Sequence, residues 1–223
     1  MSETFPDAGA GLTLGIMCFY LPNRMPISRR KIIGFLGVIG ATSLIPGTFA
    51  MASGSPVIDD LSHPHPQSSR GTHWQLVSDQ VMGGVSAGEM TRETVDGRVA
   101  LRMRGEVSLE NNGGFLQLAL DLNPDGAPMD ASGWKGIELQ VLGAGEAYNL
   151  HLRTEDMTRP WQSYRADFIA NPDWHTVRLD FADFEAHRLE APLDLSKLRR
   201  IGLVAIGRAF DADLAVSGGR FYA

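Results

Sequence analysis

The sequence predicts an all-β protein, a single antiparallel β-sandwich set behind an N-terminal export signal and a linker. Three observations predict it. Apolar residues recur with a period of two, in one short run after another, from Trp74 onward. Glycine (25 residues) and proline (12 residues) supply the turns between runs. An apolar stripe of period 3.6 and useful length is absent from the same region.

The chain opens on an address, residues 1–52. Ser28-Arg29-Arg30-Lys31 leads into the uncharged run Ile32 to Ile45, and Ala50-Met51-Ala52 follows as a small-residue cleavage site. Together they read as a twin-arginine signal, cut after Ala52 and directing the protein to the periplasm. Gly34, Gly37 and Gly40 interrupt the fourteen-residue run and Pro46 ends it. It therefore falls short of the roughly 20 apolar residues of a spanning helix. The alternative is an uncleaved anchor over 32–52 in the inner membrane. Met25 competes with Met1 as the start. Residues 53–72, rich in Pro, Ser, His and Gly, read as a flexible linker, with the folded domain at 73–223.

In the body, Gly88 to Val95 and Arg98 to Arg104 flank Asp96-Gly97, a two-residue hairpin signal. Val99, Leu101 and Met103 are expected inward, with Arg98, Ala100, Arg102 and Arg104 opposite. Phe115 to Leu122 turns Leu116, Leu118, Leu120 and Leu122 one way. Ile137, Leu139 and Val141 alternate next, and Gly143-Ala144-Gly145 makes a turn. Tyr148, Leu150 and Leu152 then face the core, leaving Asn149, His151 and Arg153 on the other side. Trp161 to Ile169 and Thr176 to Phe181 are further strands. Ile201 to Ile206 is apolar on both faces apart from glycine, the mark of a covered central strand. Leu214, Val216 and Phe221 close the chain, while Asp183 to Leu189 and Asp194 to Arg199 suggest short helical turns. Some nine strands with loops between them argue for two packed sheets.

The net charge of -6 argues against nucleic acid as a partner. Cys18, the only cysteine, precedes the body, which therefore has no disulfide, thiol nucleophile or Cys-ligated zinc. His63-Pro64-His65 with His73 is too sparse for a metal site, and His151, His175 and His187 share no ligand spacing. The sequence contains no G-x-S-x-G, H-E-x-x-H or phosphate-binding loop. A non-catalytic protein without cofactor or metal is expected, with a hydrolase, whose carboxylates or histidines would have to converge in a deep pocket, as the weaker alternative.

Two features remain as candidate sites. If their strands are neighbours, Asn149, His151 and Arg153 share a face with Ser163, Arg165 and Asp167. That face is either a solvated surface of ion pairs or a groove for a carboxylate or sugar hydroxyls. Trp161 is the tryptophan expected to be exposed, whereas Trp134 and Trp174 are expected to pack. The second feature is a pair of glycine-rich stretches, Ser78-Asp79-Gln80-Val81-Met82-Gly83-Gly84-Val85-Ser86 and Glu110-Asn111-Asn112-Gly113-Gly114-Phe115. Locally they are either tight turns or a concavity of N–H groups that binds an anion.

These two stretches, with Trp74 before them and Trp174, Val177, Leu179, Phe181, Asp183-Phe184 and Ile201-Gly202 after them, resemble the complex I intermediate-associated protein 30 family. The resemblance covers essentially the whole body. It implies a galactose-binding-domain-like jelly roll and a respiratory complex I assembly factor that acts by binding. It makes Asp79, Met82, Gly83, Gly84, Ser86, Asn111, Asn112, Gly113 and Gly114 a candidate shared surface, with Asp79, Asn111 and Asn112 supplying polar contacts. Mitochondrial relatives work on the matrix side, the counterpart of the bacterial cytoplasm. Export would instead bring this chain to the outer surface of a respiratory or envelope membrane complex.

Overall fold

The computed structural model describes residues 54–223, so the signal with Arg29, Arg30, Ala50 and Ala52 lies outside the described residues. The strands are β1 (Val57–Asp59), β2 (Gln75–Ser78), β3 (Ala87–Val95), β4 (Arg98–Val107), β5 (Phe115–Asp121) and β6 (Gly136–Gly143), then β7 (Glu146–Thr154), β8 (Ser163–Ala170), β9 (His175–Asp180), β10 (Glu185–His187), β11 (Leu198–Ile206) and β12 (Phe210–Tyr222). The first sheet runs β3-β4-β12-β6-β9, with β1 also paired to β12. The second runs β10-β8-β7-β11-β5-β2. Every pairing is antiparallel.

The period-two alternation determines what lies between the sheets. Leu116, Leu118 and Leu120 of β5, Tyr148, Leu150 and Leu152 of β7, and Ile201, Leu203 and Ala205 of β11 come from the second sheet. They pack against Leu101 and Met103 of β4, Ile137, Leu139 and Val141 of β6, and Leu214, Val216 and Phe221 of β12. The Tyr148 hydroxyl spans the gap and accepts a hydrogen bond from the Asp213 N–H at 2.9 Å. Asp96 and Gly97, both at positive φ, turn β3 into β4. Outside the β3–β4 and β7–β8 hairpins and the β10–β11 link, every connection passes from one sheet to the other. The turn expected at Gly143-Ala144-Gly145 is one of these crossings.

Four expectations need correction. The expected linker, described from residue 54, is not free: β1 pairs with β12, and Ile58, Asp59 and Leu61 are buried. The cause is Asp59, which accepts hydrogen bonds from Trp74 Nε1 at 2.7 Å, Leu61 N at 3.0 Å and Ser69 N at 3.0 Å. Asp183 to Leu189 is no helical turn beyond Phe181–Asp183, because Glu185–His187 adds to the open edge of β8 as β10. Val99 is exposed, and Ala100 is buried because Trp174 folds over the outer face of the first sheet. There it covers Ala100, Val95, Leu142 and Ala215 and donates from Nε1 to Val95 O at 3.0 Å. Trp161 precedes its strand and belongs to a loop.

Candidate functional site

The two glycine-rich stretches meet on one carboxylate. The first forms a 3-10 turn, Asp79–Met82, between β2 and β3; the second forms another, Glu110–Asn112, between β4 and β5. Asp79 is fully buried and accepts from Ser86 N at 2.9 Å, from the Ser86 hydroxyl, from Gly114 N at 2.5 Å and from Phe115 N at 3.2 Å. Ser86 Oγ in turn accepts from Ser108 N at 2.9 Å, joining the two loops a second time. Burial pushes the Asp79 carboxyl up, but the hydrogen bonds from Ser86, Gly114 and Phe115 outweigh it and leave the group below the usual carboxylate range.

The glycines divide into two kinds. Gly83 and Gly114 sit at φ 90° and 128°, conformations that other L-residues rarely adopt. Gly84 and Gly113 make room, because a Cβ on either would overlap the Asp79 carboxylate. The N–H groups do form a concavity that binds an anion, and its occupant is the chain's own Asp79.

This corrects the expected surface. Asp79 and Ser86 lie beneath it and have no group to offer a partner. Met82, Asn111 and Asn112 are exposed on top. Exposed Val81 (73%), Val85 and Leu109 accompany them as apolar side chains at the surface.

The second candidate lies on the outer face of the second sheet. β7 and β8 are neighbours, so Asn149 stands opposite Asp167 and His151 opposite Arg165. Asn149 Nδ2 donates to Asp167 Oδ1 at 2.7 Å, and Arg165 Nε to Ser163 Oγ at 2.9 Å. Arg153 is directed elsewhere: its guanidinium donates to the carbonyls of Pro160 at 2.5 Å, Gln162 at 3.0 Å and Arg159 at 3.1 Å. It thus pins the loop that carries Trp161, which is 48% exposed.

On the other side of His151, Gly202 of β11 and Ala119 of β5 keep the floor low, and the Gln117 side chain lies over Gly202. Arg200 holds Asp121 through bonds of 2.6 and 2.9 Å. His187 joins the face from the edge strand, opposite Ser163. Gln117 and Arg200 escaped sequence reasoning, and Gly202 and His187 were read without a place on this face, since strand order is what puts them here.

His151 is the unusual member. It is 8% exposed, and its Nε2 has no hydrogen-bond partner. Burial, with Arg165, His187 and Arg153 nearby, pushes its pKa down to about 3, so the ring is neutral at physiological pH. Among the described residues no three His, Cys, Asp or Glu side chains gather as a metal cluster.

The sandwich has solved counterparts. A family 11 carbohydrate-binding module of a cellulosomal cellulase from Clostridium thermocellum superposes with a TM-score of 0.59. It is 14% identical, with 76% of this chain and 95% of that chain covered. The family 11 module from Clostridium thermocellum in complex with a beta-1,3-1,4-mixed-linked tetrasaccharide gives 0.58 at 14% identity, covering 76% and 96%. At this identity the likeness shows the fold, a jelly-roll sandwich of the galactose-binding-like kind. No curated protein sequence matches the chain. The family model described as Complex I intermediate-associated protein 30 (CIA30) matches residues 63–216. That span takes in both glycine-rich stretches, the carboxylate that joins them and β2 to β11, and on it the chain belongs to the complex I intermediate-associated protein 30 family.

Proposed function

We propose that this protein is a non-catalytic binding module, exported to the periplasm, that holds a protein partner on the surface built over Asp79. The observation that carries the reading is the exposure of Val81, Met82, Val85 and Leu109 on a base locked from below. Apolar side chains on a rigid loop pair lose little conformational entropy on docking. Asn111 and Asn112 border them with amides that can bond a partner's backbone. The family name points to a respiratory membrane complex as the partner, and export sets the contact on its outer face.

The test is crosslinking followed by pull-down from the native envelope. The protein should recover a membrane complex, and a Val81→Asp, Leu109→Asp variant of unchanged melting temperature should lose it. Undiminished recovery by that variant overturns the surface. Fractionation with N-terminal sequencing should find a periplasmic product beginning near Ser53. A cytoplasmic product beginning at Met1 or Met25 would end the export reading.

The second reading is a sugar or small-anion binder on the outer face of the second sheet. It is favoured by the unpartnered Nε2 of buried His151 and by exposed Trp161 on the adjoining loop. The tetrasaccharide bound to the family 11 module supports it as a use that this fold permits.

A further inference from the structure

Charge on the polar face narrows the second reading to one class of ligand. Several arginines hold a carboxylate: Arg102 holds Asp213, Arg200 holds Asp121, Arg208 of the β11–β12 loop holds Glu146, and Arg178 and Arg220 share Glu138. Arg153 and Arg165, like Arg92, Arg98 and Arg199 on other strands, hold none among the described residues, and these two lie beside His151 on β7 and β8. Neither has a carboxylate within salt-bridge reach among the described residues, although both are half-buried. Arg153 commits its donors to three carbonyls, which leaves its charge in place. Arg165 commits Nε to Ser163, which leaves the outer nitrogens of its fork free. Two guanidiniums with no carboxylate in salt-bridge reach therefore lie beside the imidazole whose Nε2 is an orphan, with Glu185 opposite Arg165 on β10 and Asp167 further along β8 as acidic groups on the same face.

An orphaned buried ring nitrogen lowers stability, and an apolar side chain of similar size would remove that cost. A bound ligand accounts for the imidazole at this position. A hydroxyl fits Nε2 in either tautomer, because it both donates and accepts. A pair of anionic oxygens, from a carboxylate or a sulfate, fits the free fork of Arg165. Trp161, held at the end of the face by Arg153 through its loop, offers a ring on which a sugar can stack.

On the basis of that second reading, we infer that the outer face of the second sheet binds an acidic glycan, with Arg165 on its anionic group, His151 Nε2 on a ring hydroxyl and Trp161 against a sugar face. The glycan's charge is a carboxylate or a sulfate, and the guanidinium fork accepts either.

Calorimetric titration of the full-length protein tests this with four probes: an oligogalacturonate, a sulfated oligosaccharide, a neutral mixed-linked β-glucan oligosaccharide, and acetate. At least one of the two acidic glycans should bind, roughly tenfold or more tighter than the neutral one, with affinity falling as salt rises. Which of the two binds identifies the anionic group. Arg165→Gln should abolish the preference for the acidic glycan at unchanged melting temperature. His151→Leu should weaken binding without lowering the melting temperature, an outcome that loss of fold would not produce. Equal affinity for the neutral glycan overturns the acidic assignment while the glycan reading stands. Binding of acetate as tight as that of the acidic glycan overturns the sugar part, and no binding of any probe overturns both.

Discussion

Asp79 and His151 are buried polar groups in opposite circumstances. Asp79 has four donors aimed at it and joins segments 35 residues apart. Asp79→Ala would strand the N–H groups of Ser86, Gly114 and Phe115, at a cost of about 3 kcal/mol. Urea unfolding should show that loss, and a variant within about 0.5 kcal/mol of wild type, the scale of an ordinary surface change, would overturn the clasp. His151 has a donor or acceptor with nothing opposite. The folded state keeps it neutral down to about pH 3, whereas the unfolded chain takes up a proton below its ordinary 6.5. Stability should therefore fall as pH drops from 6.5 toward 3, by up to about 1.4 kcal/mol per pH unit. His187, lowered by burial and by Arg165 and Arg188, adds to the fall. His151→Leu should be about 1 kcal/mol more stable at pH 7 and lose less between pH 7 and pH 5. Parallel pH profiles for the two proteins would contradict the burial of a neutral imidazole.

At the scale of elements, the segment before Trp74 behaves as part of the domain. Asp59 anchors β1 and the following turns to Trp74 and Ser69, and Arg70 Nε reaches Leu122 O at 2.7 Å. A chain beginning at residue 73, the boundary expected from composition, would uncover Ile201 and Leu139 beneath Ile58 and leave Trp74 Nε1 unpaired. It should melt well below a chain beginning at residue 54, by calorimetry, and equal melting temperatures would show that the strap is dispensable. Composition misled here because a Pro-, Ser- and His-rich stretch looks like a linker until a buried carboxylate collects the N–H groups of Leu61, Ser69 and Trp74. The hairpin at Asp96-Gly97 was legible for the opposite reason. Its turn geometry is decided by the two residues themselves. β10 was not legible, because three residues become a strand only when an edge such as β8 is present to pair with.

At the scale of the molecule, the sandwich separates its two candidate surfaces. The loops over Asp79 join β2 to β3 and β4 to β5, while His151 and Arg165 lie on β7 and β8, with β11 between β5 and β7. The Val81→Asp, Leu109→Asp variant should therefore keep glycan binding, and Arg165→Gln should keep partner recovery. By itself the sequence determined that the body is all-β, which residues of β5, β6 and β7 face inward, and where the first hairpin turns. It also determined the family, through the paired glycine stretches. Alternation is local, so a strand's facing can be read from the strand alone. Pairing and burial are not local. That Asp79 lies under the glycines, that Asp59 straps the chain to Trp74, and that His151 is buried with an unpartnered nitrogen were decided by contacts between residues distant in sequence. Only the tertiary structure brings those residues together.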